Sequence, residues 1–187
     1  KNYVFDYLDL LSQIRLLATC RTLRNELYIT DMYNIESKYK NLLTQSIIDR
    51  YINLEKLDAF ENRLIKSVNH LAKLEILDAP GACGINDAGI VQCVNLKKLD
   101  ASYNSKITNV NNLANLEILN ASDHCGINDA GIAQCINLKS LVASSNSKIT
   151  NVNHLAKLEI LDASESYYKC GINDAGIAQC INLKSLK

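Results

Sequence analysis

Along most of the chain the apolar residues recur in one phrase, Leu-x-x-Leu-x-Ala, whose second leucine and alanine stand two positions apart between more polar neighbours. The phrase opens LEILDAPGACGINDAGIVQCVN at Leu74, LEILNASDHCGINDAGIAQCIN at Leu116 and LEILDASESYYKCGINDAGIAQCIN at Leu158, a superperiod of 42 residues. It also opens LEKLDAFENRLIKSVNHLAK at Leu54, LKKLDASYNSKITNVNNLAN at Leu96 and LKSLVASSNSKITNVNHLAK at Leu138. Units of 20 residues thus alternate with units of 22, the last of which grows to 25. Six units are complete, and Leu183 begins a seventh. In an extended segment alternate residues share a face, so Leu77 and Ala79 point inward while Ile76 and Asp78 point out. One such strand cannot bury its apolar face, but stacked coils can, as a parallel sheet over a continuous core.

The corners differ between the two unit types. In the short units an asparagine follows the strand (Asn62, Asn104, Asn146), where an inward amide can satisfy turn backbone. In the long units a cysteine stands near that corner instead (Cys83, Cys125, Cys170). Asn86-Asp87 supplies an N-cap for a short helix through Cys93, whereas the Ile-Thr-Asn-Val phrase at Ile107 predicts tighter or extended structure. The fold class is therefore α/β. It is a solenoid with a parallel sheet on its concave face and short helices and irregular segments on its convex face.

These residues resemble the leucine-rich-repeat signature over Leu54 to Lys187, nearly three quarters of the chain. The long units, with Cys-Gly-Ile-Asn-Asp-Ala-Gly-Ile and a second cysteine before the next strand (Cys93, Cys135, Cys180), are similar to the cysteine-containing subclass common in F-box proteins. The short units resemble the bacterial, SDS-like subclass. Alanine replaces the third consensus leucine at 59, 79, 101, 121, 143 and 163, which thins the core.

Before the repeats, Ile14, Leu16, Leu17, Leu23 and Leu27 predict short packed helices. Val4-Phe5-Asp6-Tyr7-Leu8-Asp9, then Leu16-Leu17, then Thr19-Cys20-Arg21-Thr22-Leu23-Arg24 resemble the F-box motif. The expected organisation is an F-box-like helical module at 1–30, a helical linker or cap at 31–53 and the solenoid at 54–187. The resemblance implies that Phe5, Tyr7, Leu8, Leu16, Leu17, Cys20 and Leu23 bind a Skp-type adaptor. The chain would then be the substrate-recognition subunit of an SCF-type cullin-RING ubiquitin ligase. The other reading of the same residues is a cap over the open first coil, which every solenoid needs, on a non-ligase interaction scaffold.

Composition narrows the classes further. The 187 residues carry 20 basic and 20 acidic side chains, so no net field favours nucleic acid or an anionic membrane. A hydrophobic content of 48% with one proline argues for a folded chain, and no apolar run approaches the roughly 20 residues of a spanning helix. Seven cysteines, an odd count, in a chain able to build a core read as reduced thiols in a cytoplasmic setting. Near-identical repeats rich in asparagine, lysine and isoleucine point to recent duplication in an AT-rich genome, such as a giant virus acting in a host-cell cytoplasm.

No enzyme, cofactor or metal site is expected. His70 and His154 occupy a repeat position that Asn112 also fills, and His124 and Cys125 are adjacent strand-exit residues that face opposite ways. Cysteines on every second coil lie roughly 10 Å apart, beyond the ~7 Å disulfide limit and beyond sharing a zinc ion.

Function is then expected on a surface. The outward fifth position of the strand phrase reads Asp58, Asp78, Asp100, Asn120, Val142, Asp162, and the third reads Lys56, Ile76, Lys98, Ile118, Ser140, Ile160. This places Ile76, Asp78, Lys98, Asp100, Ile118, Asn120, Val142, Ile160 and Asp162 on a mixed apolar and acidic strip that would bind a target protein. Equally, the isoleucines could serve only to favour strand formation. Glu75, Glu117 and Glu159 stand beside Lys97, Lys139 and Lys184 as a ladder of opposite charges. The insertion Glu165-Ser166-Tyr167-Tyr168-Lys169 offers Tyr167 and Tyr168 as loop contacts, and the chain is expected to be a monomer or to associate through its uncapped C-terminal edge.

Overall fold

Each repeat phrase forms a three-residue strand, and the strands stack in chain order into one parallel sheet of eight. The computed structural model describes residues 12–15, 29–33, 43–166 and 168–187. The strands are β1 (Asp31–Met32), β2 (Lys56–Asp58), β3 (Ile76–Asp78), β4 (Lys98–Asp100), β5 (Ile118–Asn120), β6 (Ser140–Val142), β7 (Ile160–Asp162) and β8 (Ser185–Leu186). Their register aligns Leu57, Leu77, Leu99, Leu119, Leu141 and Leu161 in one inward row. All are buried, and Ala59, Ala79, Ala101, Ala121 and Ala143 form a second inward row beside them.

The sheet begins one coil earlier than the repeat phrase. β1 lies in the stretch assigned from sequence to a helical linker, and among the described residues of 31–53 only Gln45–Ile48 (α1) is helical. Pairing of Asp31 with Lys56 puts Ile29 and Met32 where later coils carry two leucines, and both are buried. A helical turn over 12–15 precedes this coil, and its Ile14 packs partly buried against the core. Phe5, Tyr7, Leu8, Leu16, Leu17, Cys20 and Leu23, like Tyr167, lie outside the described residues.

Helices α2 (Asp87–Ile90), α3 (Asp129–Ile132) and α4 (Asp174–Ile177) occur in the long units, and the short units between them have none. Asn86, Asn128 and Asn173 cap them by accepting from the N–H of Gly89, Gly131 and Gly176. These helices stop three residues short of the expected end, because the Cys93 N–H donates to Ile90 O at 2.9 Å and tightens the last turn so that the chain can re-enter the sheet at Leu96. At Gly89 a Cβ would lie 2.2 Å from Lys66 O, so a helix with any side chain there could not sit against the preceding coil.

Two polar devices bind coil to coil. The Asp87 carboxylate accepts from the Thr108 N–H (2.7 Å), the Thr108 hydroxyl (2.6 Å) and the Asn109 N–H (3.1 Å), and Asp129 does the same with Thr150 and Asn151. In the irregular first coil Gln45 takes that role, its Oε1 accepting from Lys66 and Ser67 N–H. The buried Asn104 amide donates to Ala79 O (2.8 Å) and Ile85 O (3.2 Å) and accepts from Lys106 N–H (3.0 Å). Asn146 repeats this with Ala121, Ile127 and Lys148. Replacing Asn104 with alanine strands two buried carbonyls and an N–H, and is expected to lower unfolding free energy by about 2–4 kcal/mol in urea titration. Asn115→Ala, which removes a comparable bond from an exposed amide to Val94 O, is expected to cost less than about 1 kcal/mol.

Candidate functional site

The open face of the sheet collects the outward residues into two rows. Lys56, Ile76, Lys98, Ile118, Ser140 and Ile160 are consecutive in one, and Asp58, Asp78, Asp100, Asn120, Val142 and Asp162 in the other. Every strip residue expected from the sequence therefore shares this face. Ile118 is 43% and Ile160 49% exposed, whereas Ile76 and Val142 are half-buried, so the apolar part of the strip is weighted toward β5–β7. On the row before these strands Lys97, Lys139 and Lys184 pair with Glu75 (2.7 Å), Glu117 (2.9 Å) and Glu159 (2.9 Å). Such exposed pairs contribute little to stability.

The acidic row is mostly self-satisfied. Asp58, Asp100, Asn120 and Asp162 each accept, through Oδ1, from the backbone N–H two residues on, at 2.9 to 3.1 Å. Asp100 Oδ2 also accepts from the Asn120 amide at 3.1 Å. For Asp162 burial acts upward, but the hydroxyl and N–H of Ser164, with Lys187, outweigh it and hold the carboxyl below its ordinary range. Asp78 breaks the pattern. Two residues on stands Pro80, the only proline, which has no N–H to offer. Asp78 Oδ1 is consequently buried with no hydrogen-bond partner among the described residues.

Tyr33, immediately after β1, reaches over this part of the face. Its hydroxyl bonds the Asp78 carboxylate and receives a hydrogen bond from Lys98 Nζ at 3.2 Å, with the ammonium 5.5 Å from the ring centre. Burial pushes the Asp78 carboxyl above its ordinary range; Tyr33 and Lys98 oppose the rise, and the Asp100 and Asp58 charges add to it. Burial also raises the Tyr33 hydroxyl, helped by Asp78. Lys98 is raised by its bond to Tyr33, against desolvation.

Where β2, β3 and β4 leave the sheet, a cleft of about 700 Å³ opens, lined by Asp58, Phe60, Glu61, Asp78, Pro80, Gly81, Asp100, Ser102 and Tyr103. Phe60 (48%) and Tyr103 (49%) are half exposed. Glu61, Gly81 and Tyr103 occupy the same left-handed turn position in successive coils, with φ of 52°, 66° and 56°. Further along this edge His124 is exposed, its ring 4.2 Å from that of Tyr168, which is itself exposed. Sequence reasoning missed Tyr33, Phe60, Glu61 and Tyr103.

A signal for this region lay in the repeats. The units from Leu74 and Leu116 differ at positions 78, 80, 81, 82, 91 and 94, and those from Leu96 and Leu138 at 98, 100, 103, 112 and 115 of the earlier copy. Most of these substitutions fall on the open face or on the turns leaving it, whereas the corner asparagines, helix caps and clamping aspartates are identical.

The cysteines sit elsewhere. The six described are free and buried. Burial pushes the Cys93, Cys125 and Cys135 thiols up to about 11, where they are poor nucleophiles at neutral pH. His124 faces solvent while Cys125 faces the core, so the two form no reactive pair. Among the described residues no three His, Cys, Asp or Glu side chains are placed to hold a metal ion, and no helix is long and apolar enough to cross a membrane.

Among solved structures the chain is similar to the internalin InlF of Listeria monocytogenes, with 23% identity and a TM-score of 0.54 over 91% of this chain and 48% of that one. It is also similar to internalin C2 of the same organism, with 21% identity and a TM-score of 0.47 over 77% of this chain and 75% of that one. The chain spans about half the length of InlF. No family description matches it, and no curated protein sequence does. The eight-stranded parallel sheet with its alternating corners, together with the likeness to InlF, gives this chain the leucine-rich-repeat solenoid fold.

Two outcomes follow from the electrostatics. A carboxyl that binds protons more tightly folded than unfolded stabilises the fold fully only below its unfolded value, near about 3.9, and loses that contribution as pH rises through its folded value. Asp78→Asn, which removes the charge that burial disfavours, is thus expected to raise stability at neutral pH. The gain should fade as pH drops toward about 3.5, and equal stabilities at neutral pH would contradict the reading. For the thiols, Cys83, Cys93, Cys125 and Cys135 are expected to resist iodoacetamide in the native protein and to react in urea, as mapped by peptide mass spectrometry.

Proposed function

We propose that this chain is a protein-binding module whose partner lies along the open face of the sheet. The supporting observation is the placement of differences between near-identical coils: the corner asparagines, helix caps and clamping aspartates are unchanged, while most of the differences fall on the open face and its exits. Ile118 and Ile160, exposed on strands that could carry polar residues there, supply the apolar anchors of such a surface.

The finer proposal concerns what the module is attached to. On it, residues 1–30 dock a Skp-type adaptor, and the chain is the substrate receptor of an SCF-type cullin-RING ubiquitin ligase, contributing proximity rather than chemistry. Its support is the F-box-like run from Val4 to Arg24. That role carries with it a cytoplasmic location, in a host cell if the chain comes from a giant virus. A second reading makes the N-terminal helices a cap on a non-ligase scaffold, and the packing of Ile14 against the solenoid core favours it.

Co-purification and calorimetry with a purified Skp adaptor separate the two. The ligase reading expects a stable complex that Leu8→Asp abolishes; no complex leaves the capped scaffold. The face is tested independently, by proximity labelling in cells with the parent and with Ile118→Arg/Ile160→Arg. Partners of the face are expected to drop at least about tenfold in the variant at unchanged melting temperature, and an unchanged partner set would place recognition elsewhere.

A further inference from the structure

We propose that this chain pairs with a second copy of itself, antiparallel, along a ridge of apolar residues on the turns that lead into the strands. Alternate coils contribute Ile52, Val94, Ile136 and Ile181, and the coils between them Ala72, Ala114 and Ala156. All are exposed, the large ones by 60%, 50%, 59% and 89% in chain order. Each lies two residues before the leucine that opens the repeat phrase, so stacking sets neighbours about 4.8 Å apart and the large residues about 10 Å apart. Nothing in the fold asks for size at this position. Ala72 and Ala156 make the same turn, donating their N–H to the carbonyl two residues back at 3.1 Å, as Val94, Ile136 and Ile181 do at 2.9 Å. Exposed apolar residues scattered singly are ordinary, whereas a continuous column of them marks a contact surface. The polar groups beside it are already served: Asn95, Asn115, Asn137 and Asn182 donate along the stack to the carbonyls of Ala72, Val94, Ala114 and Ala156.

A neighbouring row of charges says what covers the ridge. Lys97, Lys139 and Lys184 follow the large residues by three positions, in Val-Asn-Leu-Lys and twice in Ile-Asn-Leu-Lys. Glu75, Glu117 and Glu159 follow the alanines, in Ala-Lys-Leu-Glu, Ala-Asn-Leu-Glu and Ala-Lys-Leu-Glu. From Ala72 to Ile181 every coil is therefore either large and cationic or small and anionic, in strict alternation. Such a surface is its own complement. Turned end for end about a two-fold axis between Ala114 and Ile136, it sets Ala114 against Ile136, Val94 against Ala156 and Ala72 against Ile181, each large side chain over an alanine. The same rotation sets Glu117 opposite Lys139, Lys97 opposite Glu159 and Glu75 opposite Lys184. It also brings Lys73 to Asn182 and Lys157 to Asn95, so no like charges meet in these rows. A slip by one coil puts large residue on large residue and lysine on lysine, so the register is specified twice over. Ile52, followed by Glu55, breaks the alternation and lies beyond the six paired coils.

The glutamate–lysine pairs within each copy, at 2.7 to 2.9 Å, keep 43% to 70% of their side chains exposed. Across the axis they join into networks in place of isolated surface pairs. Six coils give a contact about 29 Å long and, from Gln92 to Lys97 and its equivalents, at most about 20 Å wide, or roughly 1,200 Å² over both copies, the low end for a specific interface. The dimer is accordingly weak, with a dissociation constant on the order of 10 µM. None of the outward strand residues takes part, so the open face stays uncovered, and this pairing and the protein-binding reading stand or fall separately.

The test is sedimentation velocity of the full chain between about 1 µM and about 300 µM, a range that brackets that constant. A shift from monomer to dimer is expected. Ile136→Asp and Glu117→Lys should each weaken the dimer at least about tenfold at unchanged melting temperature, since both side chains lie at the surface. Glu117→Lys/Lys139→Glu, which exchanges the charges that face each other across the axis, should restore it. Leu186→Asp on β8 should leave it intact, which separates this pairing from association through the C-terminal edge. Chains carrying Val94→Cys and Ala156→Cys should be joined by a short thiol cross-linker when mixed, but neither to its own kind, whose added thiols would stand about 14 Å apart. A monomer at every concentration, a dimer indifferent to Ile136→Asp or lost in Leu186→Asp, failure of the exchanged pair to restore it, or cross-linking of like chains in preference to the mixture would overturn the proposal.

Discussion

Asn62, Asn104 and Asn146 sit where the chain turns out of the sheet, at corners whose carbonyls point into an apolar interior. A solenoid coil has no internal hydrogen-bond partner for those groups, and water cannot reach them. The amide of the next coil serves them instead: Asn104 bonds Ala79 and Ile85, and Asn146 bonds Ala121 and Ile127. Each such amide needs its neighbour in register, so strand order, inward leucine rows and helix placement all follow from one stacking geometry. The Asp87 and Asp129 clamps repeat the principle on the opposite wall, where a carboxylate at a helix start gathers donors from the coil that follows.

Against this regular frame the open face is free to vary, because the buried asparagines and clamping aspartates already hold coil to coil. The frame tolerates an isoleucine, a lysine or a serine at the third strand position without altering the register. Its first coils go further, holding an underserved carboxylate and a left-handed tyrosine at the exits of neighbouring strands. A fold supported by several repeating coils can carry such local conflict, since each coil's stability is set chiefly by its two interfaces.

Much of this was legible in the sequence, because a period repeated six times announces itself. The inward Leu77 and Ala79, the buried asparagines, the alternation of helical and non-helical coils, the Asn86 cap and the glutamate–lysine ladder all follow from the phrase and its spacing. β1 did not, since Ile29 and Met32 fill the leucine positions with other apolar residues and the eye that seeks Leu-x-x-Leu passes over them. The helix ends were overrun because the tightening at Cys93 is a demand of the next strand, not of the local sequence. The cleft was hidden for a different reason. Its residues belong to three separate coils, and only stacking shows that Phe60, Asp78 and Tyr103 share one opening. The change from Asn-Ala-Ser-Asp to Asp-Ala-Pro-Gly between sister units was the visible trace of it.

The exchange of one unit for its sister has a geometric meaning. Because every clamp and amide bond joins a coil to its immediate neighbour, adding or deleting one pair of coils by recombination would leave all those bonds intact. It would also shift everything beyond the junction by about 10 Å along the stack. The distance between the acidic cleft of the first coils and the isoleucines of the later ones can therefore change only in fixed steps. The molecule is built as a ruler, on which two surface features can be reset to a new separation without either being redesigned.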